Sequence, residues 1–211
     1  MIIIPKEKFN ESRALKEGKD VVDNLKNITV GIAGLGGLGS NIIMMLARIG
    51  VEKFVIADKD IVEMTNLNRQ NYYVRHIGQR KTDATEELLH ELSPHISIEK
   101  HFITLNKNNL GDIFRDCDIV CEAFDSANEK AMLITTIMSE HPDITVISGS
   151  GMAGYGSSND MRVEHPLEKL YICGDGIDLE DKGSIIMAPR VNICAGMIAN
   201  TVVALVMKGD I

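Results

Sequence analysis

Gly34-Leu35-Gly36-Gly37-Leu38-Gly39 is the stretch whose reading decides the fold. It follows a short apolar segment, 28–33, and opens into an apolar, helix-like segment, 38–49. Gly34, Gly36 and Gly39 stand at the first, third and sixth positions, where missing side chains allow a tight turn and let a phosphate reach bare backbone, and Gly37 extends that run. The amides at the helix start then face the phosphate, aided by the helix dipole. Such glycines also occur in turns that bind nothing, so the next strand matters. Segment 53–57 ends at Asp58, at the spacing of about 20 residues where an acid holds a ribose hydroxyl. The plainer alternative is an aspartate that only ends a strand.

The residues after Asp58 separate the kinds of nucleotide. Asn66, Asn68, Arg69 and Gln70 form a polar cluster, and Lys81 follows. A dinucleotide dehydrogenase needs the glycines and the ribose acid but has no use for this group. Donors and cations of this kind suit a triphosphate, where they stabilise charge on a transferring group. Each also has a local reading: Arg69 and Lys81 as solvated surface charges, Asn66 and Gln70 as braces of their own loop. Lys59 and Asp60 read as loop structure.

The order of elements predicts an α/β fold, Rossmann-like and doubly wound. Segments 28–33, 53–57, 98–103, 118–122 and 145–148 are short, rich in β-branched residues and read as strands. Helical stretches 38–49, 81–91 and 128–139 lie between most of them. This alternation implies a mostly parallel sheet with ligands at the carboxyl ends of its strands. Gly34, Asp58 and Asp125 each follow a strand directly, so they converge on one edge. A more antiparallel C-terminal part, 151–211, begins with a glycine-crowded loop and a short strand at 161–163. A long surface loop is predicted for 166–189. Segment 191–207 is almost wholly apolar, and Asn192 and Asn200 inside it favour a buried helix, at a dimer interface, over a membrane span.

The composition fits one domain over 1–211, with a nucleotide-binding half at 26–150 and a short N-terminal helix at 9–19. Hydrophobic residues make up 45% of the chain, enough for a sizeable core. A net charge of −8 argues against a general nucleic-acid grip, so phosphate binding must come from local cations. Residues 1–5 are too short for a signal-peptide core and are followed by charge, so no export segment and no membrane partner are expected. Cys117, Cys121, Cys173 and Cys194 form no Cys-x-x-Cys pair, and a reducing cytoplasm is expected. The six histidines are scattered, with no pair at metal-ligand spacing.

The run from Asp58 to Gln70, with Gly78-Gln79-Arg80-Lys81, Phe124-Asp125-Ser126, Ser148-Gly149-Ser150 and Met187-Ala188-Pro189, resembles the ThiF/MoeB family. Members of that family adenylylate the C-terminal glycine of ubiquitin-fold proteins. The resemblance covers nearly the whole chain and implies ATP as substrate, with Mg2+ on Asp125 and with Arg69 and Lys81 on the triphosphate. The local alternative for Asp125 is a helix cap. It further implies a small ubiquitin-fold carrier protein ending in Gly-Gly as partner, most simply a ThiS-like carrier of thiamine thiazole biosynthesis. Another carrier, a tRNA-directed role and an NAD-dependent oxidoreductase stay open. A homodimer is implied, with Arg13 reaching into the partner's ATP site; a solvated helix arginine is the alternative. Two departures stand out. The zinc-binding Cys-x-x-Cys pairs of many relatives are missing, so no structural zinc is expected. The segment before Met187 carries no cysteine, leaving Cys173 as the one thiol for a covalent adduct, or else an ordinary loop thiol.

Overall fold

The computed structural model describes residues 4–177 and 185–211. Seven strands form one sheet: β1 (Thr29–Ala33), β2 (Lys53–Asp58), β3 (Ser97–Phe102), β4 (Ile119–Glu122), β5 (Thr145–Gly149), β6 (Arg162–Leu167) and β7 (Leu170–Gly174). Their order is β3-β2-β1-β4-β5-β7-β6, with all neighbours parallel except the β6–β7 pair. From β1 the chain winds outward through β2 to β3, then returns to place β4 on the other side. The strand order therefore reverses between β1 and β4, where a doubly wound sheet opens a crevice for ligands.

The five predicted strands are all present, and period-two alternation sends their side chains to two cores. Val30, Ile32, Phe54, Ile56, Cys121 and Ile147 face α3 (Gly37–Arg48), α4 (Lys81–Leu92) and α7 (Ala188–Lys208). Val55, Ala57, Val120 and Val146 face α5 (Leu110–Phe114) and α6 (Ala127–Glu140). Strands buried on both faces read as continuous apolar runs, which is why β1, β2, β4 and β5 were legible; β3 lies at the sheet edge with its residues exposed or half-buried.

Three expectations need correction. The N-terminal helix predicted at 9–19 is two helices, α1 (Lys6–Glu17) and α2 (Lys19–Leu25), separated by Gly18 at φ 93°. The long loop predicted for 166–189 is in part a hairpin, since β7 and the end of β6 lie inside it. The short strand predicted at 161–163 is the start of β6, an edge strand with every residue exposed, so its remainder lacks the apolar alternation that would reveal it. The apolar C-terminal helix is longer than expected and is long and apolar enough to cross a membrane, yet half of its most apolar stretch is buried inside this protein. Val191, Ala195, Ile198 and Val202 are fully covered in the same core as α3.

Among the described glycines one of the tightest fits is where α3 leaves β1. A side chain at Gly39 would overlap the carbonyl oxygen of Gly34 and press on Ile32. Gly39→Ala gains about 1 kcal/mol of helix propensity. The backbone carbonyl cannot rotate away, and overpacking of this kind costs about 1–3 kcal/mol. We therefore predict a net loss of stability in chemical denaturation; equal or greater stability would contradict this reading of the turn.

Candidate active site

The glycine loop between β1 and α3 is held by one carboxylate. Asp58, at the end of β2, accepts from the Leu35 amide at 2.6 Å and from the Asp60 amide at 2.7 Å. Gly34 adopts φ 92°, a conformation that favours glycine, and a side chain there would press on the carbonyl of Ala123 after β4. Burial pushes the Asp58 carboxyl above its ordinary range, against the pull of Lys81 and the two amides. A raised carboxyl pKa means its stabilising contribution is fully present only at low pH and is lost as pH rises through the shifted value. Asp58 is thus kept where ionisation is unfavourable to folding.

The polar segment after Asp58 is stapled to the start of α3. Asn41 donates to the carbonyls of Gly37 and Arg69 at 2.7 and 2.9 Å. Ser40 donates to the Gly36 carbonyl at 2.6 Å and accepts from the Asn71 amide at 3.0 Å. The Tyr72 hydroxyl, buried, donates to the Leu35 carbonyl at 3.0 Å. The Arg69 stem consequently lies over Gly37, while its guanidinium donates to the Thr65 carbonyl and to Asn68. Gln70 lies beside Gly36, and its buried carbonyl oxygen has no hydrogen-bond partner among the described residues. Asn66 accepts from the Glu63 amide at 3.0 Å and so braces its own turn, the local reading of that residue.

Two adjoining cavities open along the carboxyl edge of the sheet. The first is lined by Gly34, Gly36, Asp58, Asp60, Lys81 and Asp125, among others. Lys81 begins α4, is 5% exposed and pairs with Asp60 at 3.0 Å, so it is a buried cation of the site rather than a solvated charge. Asp60 thereby has a part in the site beyond loop structure. The second cavity is lined by Gly37, Leu38, Lys130, Gly151, Ile177 and Val191, among others. Phe124 and Asp125 line both. Asp125 is exposed and has no ion-pair partner among the described residues. No group of three metal-ligating side chains occurs among the described residues. One free carboxylate nonetheless fits Mg2+, which keeps several waters and takes its remaining ligands from substrate phosphates.

A second buried network was not read from the sequence. Glu122, the last residue of β4, is fully buried. It accepts from the Phe124 amide at 2.6 Å, from Ser148 at 2.5 Å and from Lys130 at 3.1 and 3.2 Å. The network fixes the turn that presents Asp125. An acid at the end of an apolar strand, with a lysine in the next helix, was the available signal. Arg13 is not brought to the cavities of its own chain. It donates to the Ala47 carbonyl at 3.2 Å, at the far end of α3, and lies 3.9 Å from Glu52.

The match to the family model described as "ThiF family" spans residues 10–210. The chain is 31% identical to the adenylyltransferase and sulfurtransferase UBA4 of Scheffersomyces stipitis over 63% of its own length and 30% of that protein's, so it spans under a third of that relative. Among solved structures, Escherichia coli MccB with ATP superposes with a TM-score of 0.71 at 26% identity, over 97% of this chain and 66% of that one. The E. coli tRNA N6-threonylcarbamoyladenosine dehydratase TcdA in complex with ATP superposes with a TM-score of 0.86, over 99% of this chain and 98% of that one. Its identity of 17% makes that a likeness of fold.

The thiols are a further correction. Cys173 is not a loop thiol: it sits in β7, fully buried, against Thr201 and Cys194. The segment before Met187 lies largely outside the described residues. Burial pushes the Cys173 thiol up to about 11, and Cys117 and Cys194 to about 12. At pH 8 a thiol with a pKa near 11 is only about a thousandth thiolate. We predict negligible labelling of the folded protein by a disulfide-exchange reagent at pH 8 and full labelling after denaturation. Rapid labelling of Cys173 in the native state would contradict its placement.

Proposed function

The chain belongs to the ThiF family, and on that premise we propose that it transfers the adenylyl group of ATP to the C-terminal carboxylate of a small ubiquitin-fold carrier protein ending in Gly-Gly. The observation that carries this reading is the meeting of two cavities at Asp125. One has the glycine loop, Asp58 and Lys81 of a nucleotide site. The other, the more apolar of the two, reaches the same carboxylate from the side of β5 and α7. Two reactants can thus approach one point. The names of the relatives fit: UBA4 is called an adenylyltransferase, and MccB has been solved with ATP and with AMPCPP and MccA.

In this reading Asp58 holds the ribose, and the amides at the start of α3 face the phosphates. Lys81, Arg69 and Gln70 surround the triphosphate, the orphaned oxygen of Gln70 gaining a partner from the ligand. Mg2+, held by Asp125, would offset phosphate charge. The acceptor carboxylate is already ionised at neutral pH, so no general base is needed. Its oxygen forms a bond to the α-phosphorus as the bond from that phosphorus to the pyrophosphate oxygen breaks, giving an acyl-adenylate and pyrophosphate. Positioning and charge stabilisation carry the rate. Placement of Asp125 falls to the Glu122 network, which ties the turn before it to Ser148 and Lys130.

The finer assignment is a ThiS-like carrier in thiamine thiazole synthesis, within a homodimer. In its own chain Arg13 caps the end of α3, so a catalytic role requires it to act on the partner's site.

The test is ATP–pyrophosphate exchange, which we expect only with a Gly-Gly-ended carrier present. Asp125→Ala should remove most of it, a fall of about 100-fold or more for a lost phosphate-charge ligand. Undiminished exchange in that variant would overturn the role of Asp125. Exchange that depends on tRNA instead would favour a reaction of the kind that names TcdA.

A further inference from the structure

Arg190, in the first turn of α7, carries a charge that the proposed chemistry does not use. Its side chain and that of Asp175 are 4% and 3% exposed, and the two form an ion pair. The other guanidinium nitrogen, Nη1, donates to the Ser157 carbonyl at 3.1 Å, and Nε is buried without a partner. Asp175 is itself held, accepting from the Ile177 amide at 3.0 Å. One guanidinium therefore joins three stretches: the glycine-rich loop after β5, the turn after β7, and the start of α7. Backbone bonds zip the first two together, from Asp175 to Gly151 and from Gly176 to Ser150, both at 3.1 Å. Gly154 donates to Ile185 at 2.9 Å, extending the seam to the approach to α7.

These stretches supply one wall of the second cavity: Gly151, Met152, Ala153, Ile177, Ile186 and Val191. Arg190 itself does not line it. A buried ion pair is a poor source of stability, since apolar residues of similar volume often do as well or better. What a planar fork with two fixed partners provides is geometry.

We infer that Arg190 is a positioning residue for the acceptor: with Asp175 and Ser157 it sets the wall of the second cavity, and so the binding of the acceptor's C-terminal end rather than of ATP. The inference rests on the adenylyl-transfer reading for the identity of that acceptor. It places no demand on the first cavity, whose walls are the ends of β1 to β4.

Arg190→Lys keeps the charge but cannot hold both partners in the same fork. Losing one charge-assisted hydrogen bond should raise KM for a Gly-Gly-ended carrier by about 10-fold and leave KM for ATP within about 2-fold. Should Arg190→Lys fail to fold, the double variant Arg190→Met/Asp175→Leu removes both charges together and is measured in the same way. Equal rises in both constants, or no rise in either, would overturn the inference. If the wild-type protein shows no exchange with the carrier, the adenylyl-transfer reading has failed, and hydrogen exchange then decides the matter of the wall. Loss of protection at 150–157 and 174–177 in Arg190→Lys, with 34–39 still protected and ATP still bound, would support it. Unchanged protection would sink it.

Discussion

The site depends on the carboxylate of Asp58 accepting from two backbone amides on either side of it. The Leu35 amide belongs to the turn after β1, and the Asp60 amide to the loop after β2. Those are two of the four strand-end loops that frame the first cavity. The bonds matter because Asp58 is 8% exposed, and they offset part of the cost of ionising its carboxyl there. Asp60, oriented by this bond, pairs with Lys81 and so sets the start of α4 in the same cavity. Loss of the Asp58 carboxylate would separate the glycine loop from the cation that faces it.

A charge of −8 spread over the chain is compatible with a triphosphate site because the relevant charges are local. Lys81 and Arg69 stand near the amide-rich start of α3, while the buried acids are each engaged: Asp58 by amides, Glu122 by Lys130, Ser148 and an amide, Asp175 by Arg190. Asp125 alone among the site's acids stays exposed and unpaired within the described residues. That asymmetry fits a group whose partner arrives with the substrate.

The parallel sheet was legible because β1, β2, β4 and β5 are almost wholly buried and read as apolar runs, while the edge strand β3 showed itself by its short length and its place after a helix. Gly34, Asp58 and Asp125 do converge on one edge, and Lys81 and Arg69 come to the glycine loop. Of the antiparallel hairpin only the start of β6 was legible, since an exposed edge strand has no apolar alternation and its pairing is set by the sheet already formed. The same cause misplaced Cys173, whose burial depends on α7 covering β7. The Arg190 network joins residues 15 and 33 positions apart, and a single arginine is indistinguishable from a surface charge until its partner is known; the Glu122–Lys130 pair, eight residues apart, did leave a signal in the sequence. Asn66 shows the converse: its local brace was open to view, and the structure places it there.

The central claim is that this crevice takes a nucleoside triphosphate and not a dinucleotide. Thermal unfolding of the folded protein with ATP–Mg2+, AMP or NAD at equal concentration tests it directly, since a ligand that binds the native state raises its stability by mass action. The account predicts a rise in Tm that is largest with ATP–Mg2+ and absent with NAD. Selective stabilisation by NAD would contradict it.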